Sequence, residues 1–196
     1  MTTSKCASIS KPTMYMKRIL TLALVAVAVI AGATSTASAA QNSASATSNS
    51  TDMTTLVAYF SVTGTTRAAA QKLAKQHNAV LWEIEAAEPY TAADLDWRNE
   101  QSRSTLEMKD PNERPMIKQC TNIMPYDTIY VGFPIWWGIC PRIINSWIDN
   151  NLEQLQSKTL IPFATSGSSG IEEAEAYLKK TYPTLTWQKG LLLNKR

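Results

Sequence analysis

Residues 56–66 read LVAYFSVTGTT. The first five are apolar and stop at Ser61, the pattern of a short strand buried on both faces. The turn Ser61-Val62-Thr63-Gly64-Thr65-Thr66 follows. Thr66 to His77 then carries Ala69, Ala70, Leu73, Ala74 and His77 at helical spacing. A strand, a hydroxyl-rich turn and a helix in this order can build a cradle for an anion. Glycine lets the backbone approach closely, while amides, hydroxyls and the positive end of the helix face one point. The same residues also read as an ordinary polar turn with Thr65 or Thr66 capping the helix. Absence of G-x-G-x-x-G argues against a dinucleotide fold, and absence of G-K-S/T argues against a nucleotide triphosphatase.

Working outward, strands and helices alternate. Val80 to Ile84 is a second strand whose partial alternation suggests a sheet edge. Thr91 to Met108 is polar and reads as a patchy helix, and Pro111 and Pro115 make 109–126 a loop. Thr128 to Phe133 is apolar on both faces, hence a central third strand. Ile143, Ile144, Trp147, Ile148, Leu152 and Leu155 mark a helix with Pro141 near its start. Thr159 to Ala164 is a fourth strand. Ser169 and Glu172 have capping-box spacing, so the next helix is expected to start at Ser169 and to end near Lys179 and Lys180. Thr186 to Leu193 reads as one fifth strand. This alternation predicts an α/β fold, a parallel sheet with helices on both faces.

In such sheets ligands bind beyond the carboxyl ends of the strands. Two further loops fall there. Pro134-Ile135-Trp136-Trp137-Gly138 follows the third strand. Adjacent tryptophans at a strand end point different ways, so one can pack on the core while the other offers a flat face to a ring. Both could equally be core or interface aromatics. Thr165-Ser166-Gly167-Ser168-Ser169-Gly170 follows the fourth strand, and its small residues expose backbone amides. It also reads as a flexible turn.

The N-terminus reads differently. Residues 1–15 are an extension, with Met16 a candidate start. Met16-Lys17-Arg18, the apolar run Ile19 to Ala31 and the small residues Ala37-Ser38-Ala39 form a signal peptide over 16–39, cut after Ala39. The rival reading is an uncleaved membrane anchor. Residues 40–53 are a flexible linker of mostly Ser, Ala, Thr and Asn, and 54–196 form one domain. The formal charge of +3 misleads, because Lys5, Lys11, Lys17 and Arg18 precede any acid. Removing residues 1–39 leaves 15 basic against 16 acidic side chains. That balance gives no electrostatic reason to expect nucleic-acid binding. One His and three Cys without C-x-x-C exclude a zinc ribbon and a dense disulfide scaffold, and no metal site is expected.

The three loops carry a family resemblance. Ser61 to Thr66 resembles the flavodoxin phosphate-loop pattern S/T-x-T-G-x-T. YDTIYVGFPIWWGICPRIINSWID, Tyr126 to Asp149, resembles the third strand, flavin loop and next helix of an exported bacterial flavodoxin-like subfamily with a PIWWG loop. IPFATSGSSG, Ile161 to Gly170, is similar to its fourth-strand loop. The resemblance implies a flavodoxin-like, doubly wound five-stranded parallel sheet of order 2-1-3-4-5, lacking the usual C-terminal helix, with FMN as cofactor. Ser61, Val62, Thr63, Gly64, Thr65 and Thr66 would hold the FMN phosphate side. Pro134, Ile135, Trp136, Trp137 and Gly138 would border the isoalloxazine, with Trp136 or Trp137 near its face. Thr165, Ser166, Gly167 and Gly170 would border the other edge. No catalytic side chain is assigned, since the flavin itself carries the electrons.

The implied function is an exported FMN-binding redox protein, periplasmic, cell-surface or secreted, that passes electrons to a partner protein or a small acceptor. Low-potential carriers of this family are strongly acidic. This near-neutral chain sets Arg67 and Arg142 beside the flavin loops, so an NAD(P)H-dependent reductase is the enzyme alternative. The signal has no twin Arg, so FMN would be acquired after export. A different class of function is a flavin-free binding module acting on a protein partner or another phosphate ligand. A serine hydrolase is weak, because Gly167-Ser168-Ser169-Gly170 is not G-x-S-x-G. Cys120 and Cys140 flank a strand of ~20 Å, too far apart for a disulfide. Without a last helix, the side of the sheet shared with the first helix is expected to be open, giving a homodimer, a partner-completed fold or marginal stability.

Overall fold

A computed structural model describes residues 54–193. The signal peptide and linker expected over 16–53 lie outside the described residues. The elements run β1 (Thr55–Tyr59), α1 (Thr65–Gln76), β2 (Val80–Glu83), α2 (Arg103–Lys109), β3 (Thr128–Pro134), α3 (Arg142–Leu155), β4 (Thr159–Thr165), α4 (Glu172–Thr181), β5 (Thr186–Trp187) and β6 (Leu191–Leu192). The sheet is parallel with order β2-β1-β3-β4-β5, and β6 also pairs β4. This is the flavodoxin-like α/β arrangement of order 2-1-3-4-5.

Strand alternation divides the core. Val57, Tyr59, Tyr130 and Phe163 pack with Ala70, Leu73 and Ala74 of α1 on one side. Leu56, Ala58, Ile129, Val131, Phe133, Leu160 and Ala164 pack with α3 and α4 on the other, around the buried Trp147. On the α1 side, Gly132 of β3 lies opposite Phe163 of β4. A Cβ at Gly132 would fall within 2.6 Å of three carbons of that ring. The aromatic therefore fills the space a side chain would take.

Three expectations need correction. The helix over 91–108 shrinks to Arg103–Lys109. Upstream, short polar side chains take backbone amides: Asp94 accepts from Thr91 N–H at 2.8 Å, Asp96 from Arg98 at 3.1 Å and Asn99 from Gln101 at 2.9 Å. Such local bonds compete with a helical ladder. The helix expected from Ser169 begins at Glu172 without a side-chain cap. Ser166 Oγ accepts from the Ser168 and Ser169 amides instead, at 3.2 and 2.8 Å, which keeps that stretch a turn.

The single fifth strand is broken into β5 and β6. Leu160 pairs with Trp187 and Phe163 with Leu191, so three steps along β4 match four along its partner. The carbonyls of Leu160 and Ala164 accept from Gln188 and Leu193, each at 2.8 Å. Pro162 lies between them and faces the same way, but has no N–H to donate. The extra residue bulges where that donor is missing. Gly190 fills the gap against Pro162, and its amide donates to Glu175 Oε2 of α4 at 2.9 Å.

Candidate functional site

The loops after β1 and β3 meet the α2 segment around a pocket of about 440 Å³. Ser61, Val62, Thr63 and Thr66 line it from the first loop. Pro134, Ile135, Trp136 and Trp137 line it from the second, and Leu95, Trp97 and Ser104 from the segment ahead of and within α2.

In the first loop, Gly64 adopts φ +86 and caps α1. A side chain there would be strained whatever the space around it. Thr63 and Thr65 are exposed, with hydroxyls 3.5 Å apart. Thr66 is buried and its Oγ1 lies 2.8 Å from that of Thr165, which ties the loop to the end of β4. Ser61 is also buried, and its Oγ has no hydrogen-bond partner among the described residues. Arg67, next along α1, turns to Glu83 at the end of β2, forming an ion pair and donating from Nε at 3.1 Å. Tyr59 donates to the same carboxylate at 3.0 Å. The Glu83 carboxylate holds the guanidinium pKa above its usual value, and burial together with Glu83 raises that of the Tyr59 phenol.

The second loop is a tight hairpin. Trp136 N–H donates to Ile139 O at 2.9 Å and Ile139 N–H returns to Trp136 O at 3.0 Å. The two residues between, Trp137 and Gly138, have φ +48 and +85. Positive φ at both positions is the type I′ pattern, which favours Asn-Gly. A tryptophan in the left-handed region is a genuine outlier, of the kind that clusters at ligand sites. The two indoles divide their work. Trp136 packs edge-on against Phe60 and Tyr90, in a triangle of rings 5.6 to 5.7 Å apart. Trp137 is 48% exposed at the pocket.

The α2 segment was missed in the sequence. Its brace is a polar network in which Tyr90 donates to Glu107 at 2.6 Å and Arg103 to the same carboxylate at 2.7 Å. Burial and the Glu107 hydrogen bond raise the Tyr90 pKa far above its usual value. Ser104 is 2% exposed and its Oγ has no hydrogen-bond partner among the described residues. One signal was available: Trp97 is the one aromatic in the mostly polar run DLDWRNEQS, and it is 64% exposed at the pocket.

The remaining sites lie further off. Ser166, Gly167 and Gly170 are outside the pocket lining, on the tip ahead of α4. Gly138 borders Trp137, with Glu173 of α4 where a Cβ would project. Arg142 does not reach the pocket lining. It is buried, and donates to the Glu107 and Met108 carbonyls at 3.4 and 3.1 Å. Cys140 is a free, fully buried thiol, so it forms no bridge to Cys120, and burial pushes its pKa up to about 12. That makes it a packing group and not a nucleophile at neutral pH.

Known proteins are similar to this chain in sequence and fold. The chain is 51% identical to a candidate flavoprotein from Bacteroides eggerthii, with a TM-score of 0.71 over 73% of this chain and 89% of that one. It is also 51% identical to a second from Bacteroides uniformis, with a TM-score of 0.69 over 72% and 90%. A flavoprotein from Lactobacillus acidophilus in complex with FMN shares the fold at 19% identity, with a TM-score of 0.58 over 72% and 93%. No curated protein matches. The sequence model of the family described as Flavodoxin matches residues 54–196, and the chain belongs to that family.

Proposed function

We propose that this chain is an FMN-binding electron carrier that works outside the cytoplasm. The observation that carries the reading is the pair of buried, unpartnered hydroxyls, Ser61 and Ser104, in the wall of one pocket. Leaving a buried polar group unsatisfied costs about 1–3 kcal/mol, which a polar ligand offsets. The donor set fits FMN. Thr63, Thr65 and the Gly64 backbone offer donors to a phosphate at the start of α1, while Pro134 to Trp137 offer apolar and aromatic surface to a ring. Thr165 stands behind the loop, with Ser166, Gly167 and Gly170 beyond it. Bound FMN supplies one- and two-electron chemistry, tuned by stacking, hydrogen bonds and nearby charge. The fold shared with the FMN-bound flavoprotein of Lactobacillus acidophilus agrees with this reading.

Arg67 is paired with Glu83 and Arg142 is turned to α2, so neither guanidinium lines the pocket. The arginine part of the argument for a reductase loses its force, and a carrier serving a redox partner or small acceptor is the reading we favour. Export rests on the Met16 to Ala39 sequence, and no helix among the described residues is long and apolar enough to cross a membrane. We also read the α1 side as a homodimer contact, since Leu191 is 37% exposed and Ile161 and Leu193 are only partly buried there.

Titrating the apoprotein of the full chain with FMN and riboflavin tests the cofactor. Thr63→Ala with Thr65→Ala should weaken FMN about tenfold or more, for the loss of hydrogen bonds to a charged phosphate, and riboflavin little. Equal loss for both ligands removes the phosphate role, and no flavin binding at all sinks the proposal. Turnover of NADH or NADPH by the loaded protein would move the role from carrier to reductase. Sedimentation should show a dimer that Leu191→Lys dissociates, and a wild-type monomer rejects the contact.

A further inference from the structure

We infer that Ser104 is a flavin ligand, its Oγ hydrogen-bonding the riboflavin portion of the cofactor and not the phosphate. This rests on the FMN reading above, which Ser104 helps to carry, and deepens it by assigning that hydroxyl to one part of the ligand. Ser104 lies on the segment between β2 and β3, outside all three loops that carry the family resemblance.

Its burial and lack of partner need an account, because native proteins leave few buried polar atoms unsatisfied. Helix geometry alone does not supply one. Ser102, two residues earlier, is equally buried, yet its Oγ donates to Thr105 Oγ1 at 2.8 Å and accepts from the Thr105 amide at 3.4 Å. Ser104 has no such neighbour and lines the pocket.

The hydroxyl is also held in place. Ser104 N–H donates to Asp94 O at 3.0 Å. Arg103 reaches the Glu88 carbonyl at 2.8 Å as well as Glu107. The last carbonyls of α2 accept from the buried guanidinium of Arg142. A short helix anchored at both ends keeps its hydroxyl at a set point in the wall, so little freedom is lost when a ligand meets it.

The companions of Ser104 on this wall decide which part of the ligand it meets. They are Leu95 and Trp97, which suit the ring of a riboflavin and offer no charge-assisted donor to a dianion. The phosphate donors sit instead on the loop that opens α1.

The test compares FMN and riboflavin binding to the apoprotein of the full chain, for wild type and Ser104→Ala, with the melting temperature of each apoprotein. Loss of one hydrogen bond predicts about tenfold weaker binding of both ligands. The apoprotein should melt at the wild-type temperature or above, because the deleted hydroxyl had no partner to lose. Unchanged affinity for both ligands, or a loss confined to FMN, overturns the assignment. Should the Ala variant melt lower, the near-isosteric Ser104→Cys decides. Wild-type melting with about tenfold weaker flavin binding supports the assignment, since a thiol is a poor donor, and wild-type affinity overturns it. A wild-type chain that binds neither flavin removes the cofactor reading itself, a result distinct from failure of Ser104 alone.

Discussion

Replacing Trp137 separates two things that one residue does at once. It closes a two-residue hairpin at φ +48, and it presents an indole to the pocket. For an L residue the left-handed region costs roughly 1–2 kcal/mol, and Asn is one of the few side chains that relieve this. Trp137→Asn and Trp137→Ala both delete the ring, so both lose the packing of its buried half. Their difference isolates the turn. The Asn variant should be the more stable by about 1 kcal/mol. In a domain of this size that corresponds to roughly 3–5 °C in melting temperature. Stacking of an aromatic side chain on a nucleobase-like ring is worth about 1–3 kcal/mol, so both variants should bind FMN roughly 5- to 150-fold more weakly, and equally so. Circular-dichroism melts of the apoproteins and flavin-fluorescence titrations read the two effects independently. Equal stability of the two variants would refute the positive-φ turn. Wild-type FMN affinity in both would refute an indole against the ring.

Two further substitutions probe the scaffold. Gly132→Ala should destabilise the fold by about 3 kcal/mol through overlap with Phe163, and Phe163→Leu in the same chain should recover part of that; urea unfolding measures both. Glu175→Ala leaves the Gly190 amide in the bulge without its acceptor and should cost about 1–2 kcal/mol at pH 7. Lys179 and the Gly190 amide hold the Glu175 carboxyl pKa below its ordinary value of 4.5. Its contribution is therefore complete above that ordinary value and fades as pH falls through the lowered one. Wild type and variant should converge in acid, and a stability gap that persists there would contradict the assignment.

The sequence made the first strand, its loop and α1 legible because each local preference agrees with the fold. Apolar residues fill β1, and the one residue with φ +86 in the loop is a glycine. The division between the two tryptophans could be anticipated but not assigned, since it depends on Phe60 and Tyr90 arriving from separate elements. Elsewhere a local pattern was outbid by a neighbour. Ser169 and Glu172 had cap spacing, but Ser166 reached the amides first. Leu191 to Leu193 continued a strand pattern, but Pro162 on the adjacent strand offered no N–H to receive it. Ser104 carried no signal of its own. Its meaning depends on where Asp94 and Arg142 hold α2, information held some 10 and 38 residues away in the chain.

The break between β5 and β6 reaches beyond the domain's own packing. Sheet margins are templates on which foreign strands can add, and a long flat margin invites aggregation. On this side the margin is cut into two-residue pieces, set out of phase by the bulge, with the Gly190 amide already engaged by Glu175. An incoming strand would find no continuous row of donors and acceptors to copy. Among the described residues the opposite margin, Val80–Glu83, keeps an unbroken row and two exposed apolar side chains, Val80 and Leu81. Amyloid-like growth from this protein would therefore be one-sided, starting at β2, and a single lysine placed at Leu81 is where it would be stopped.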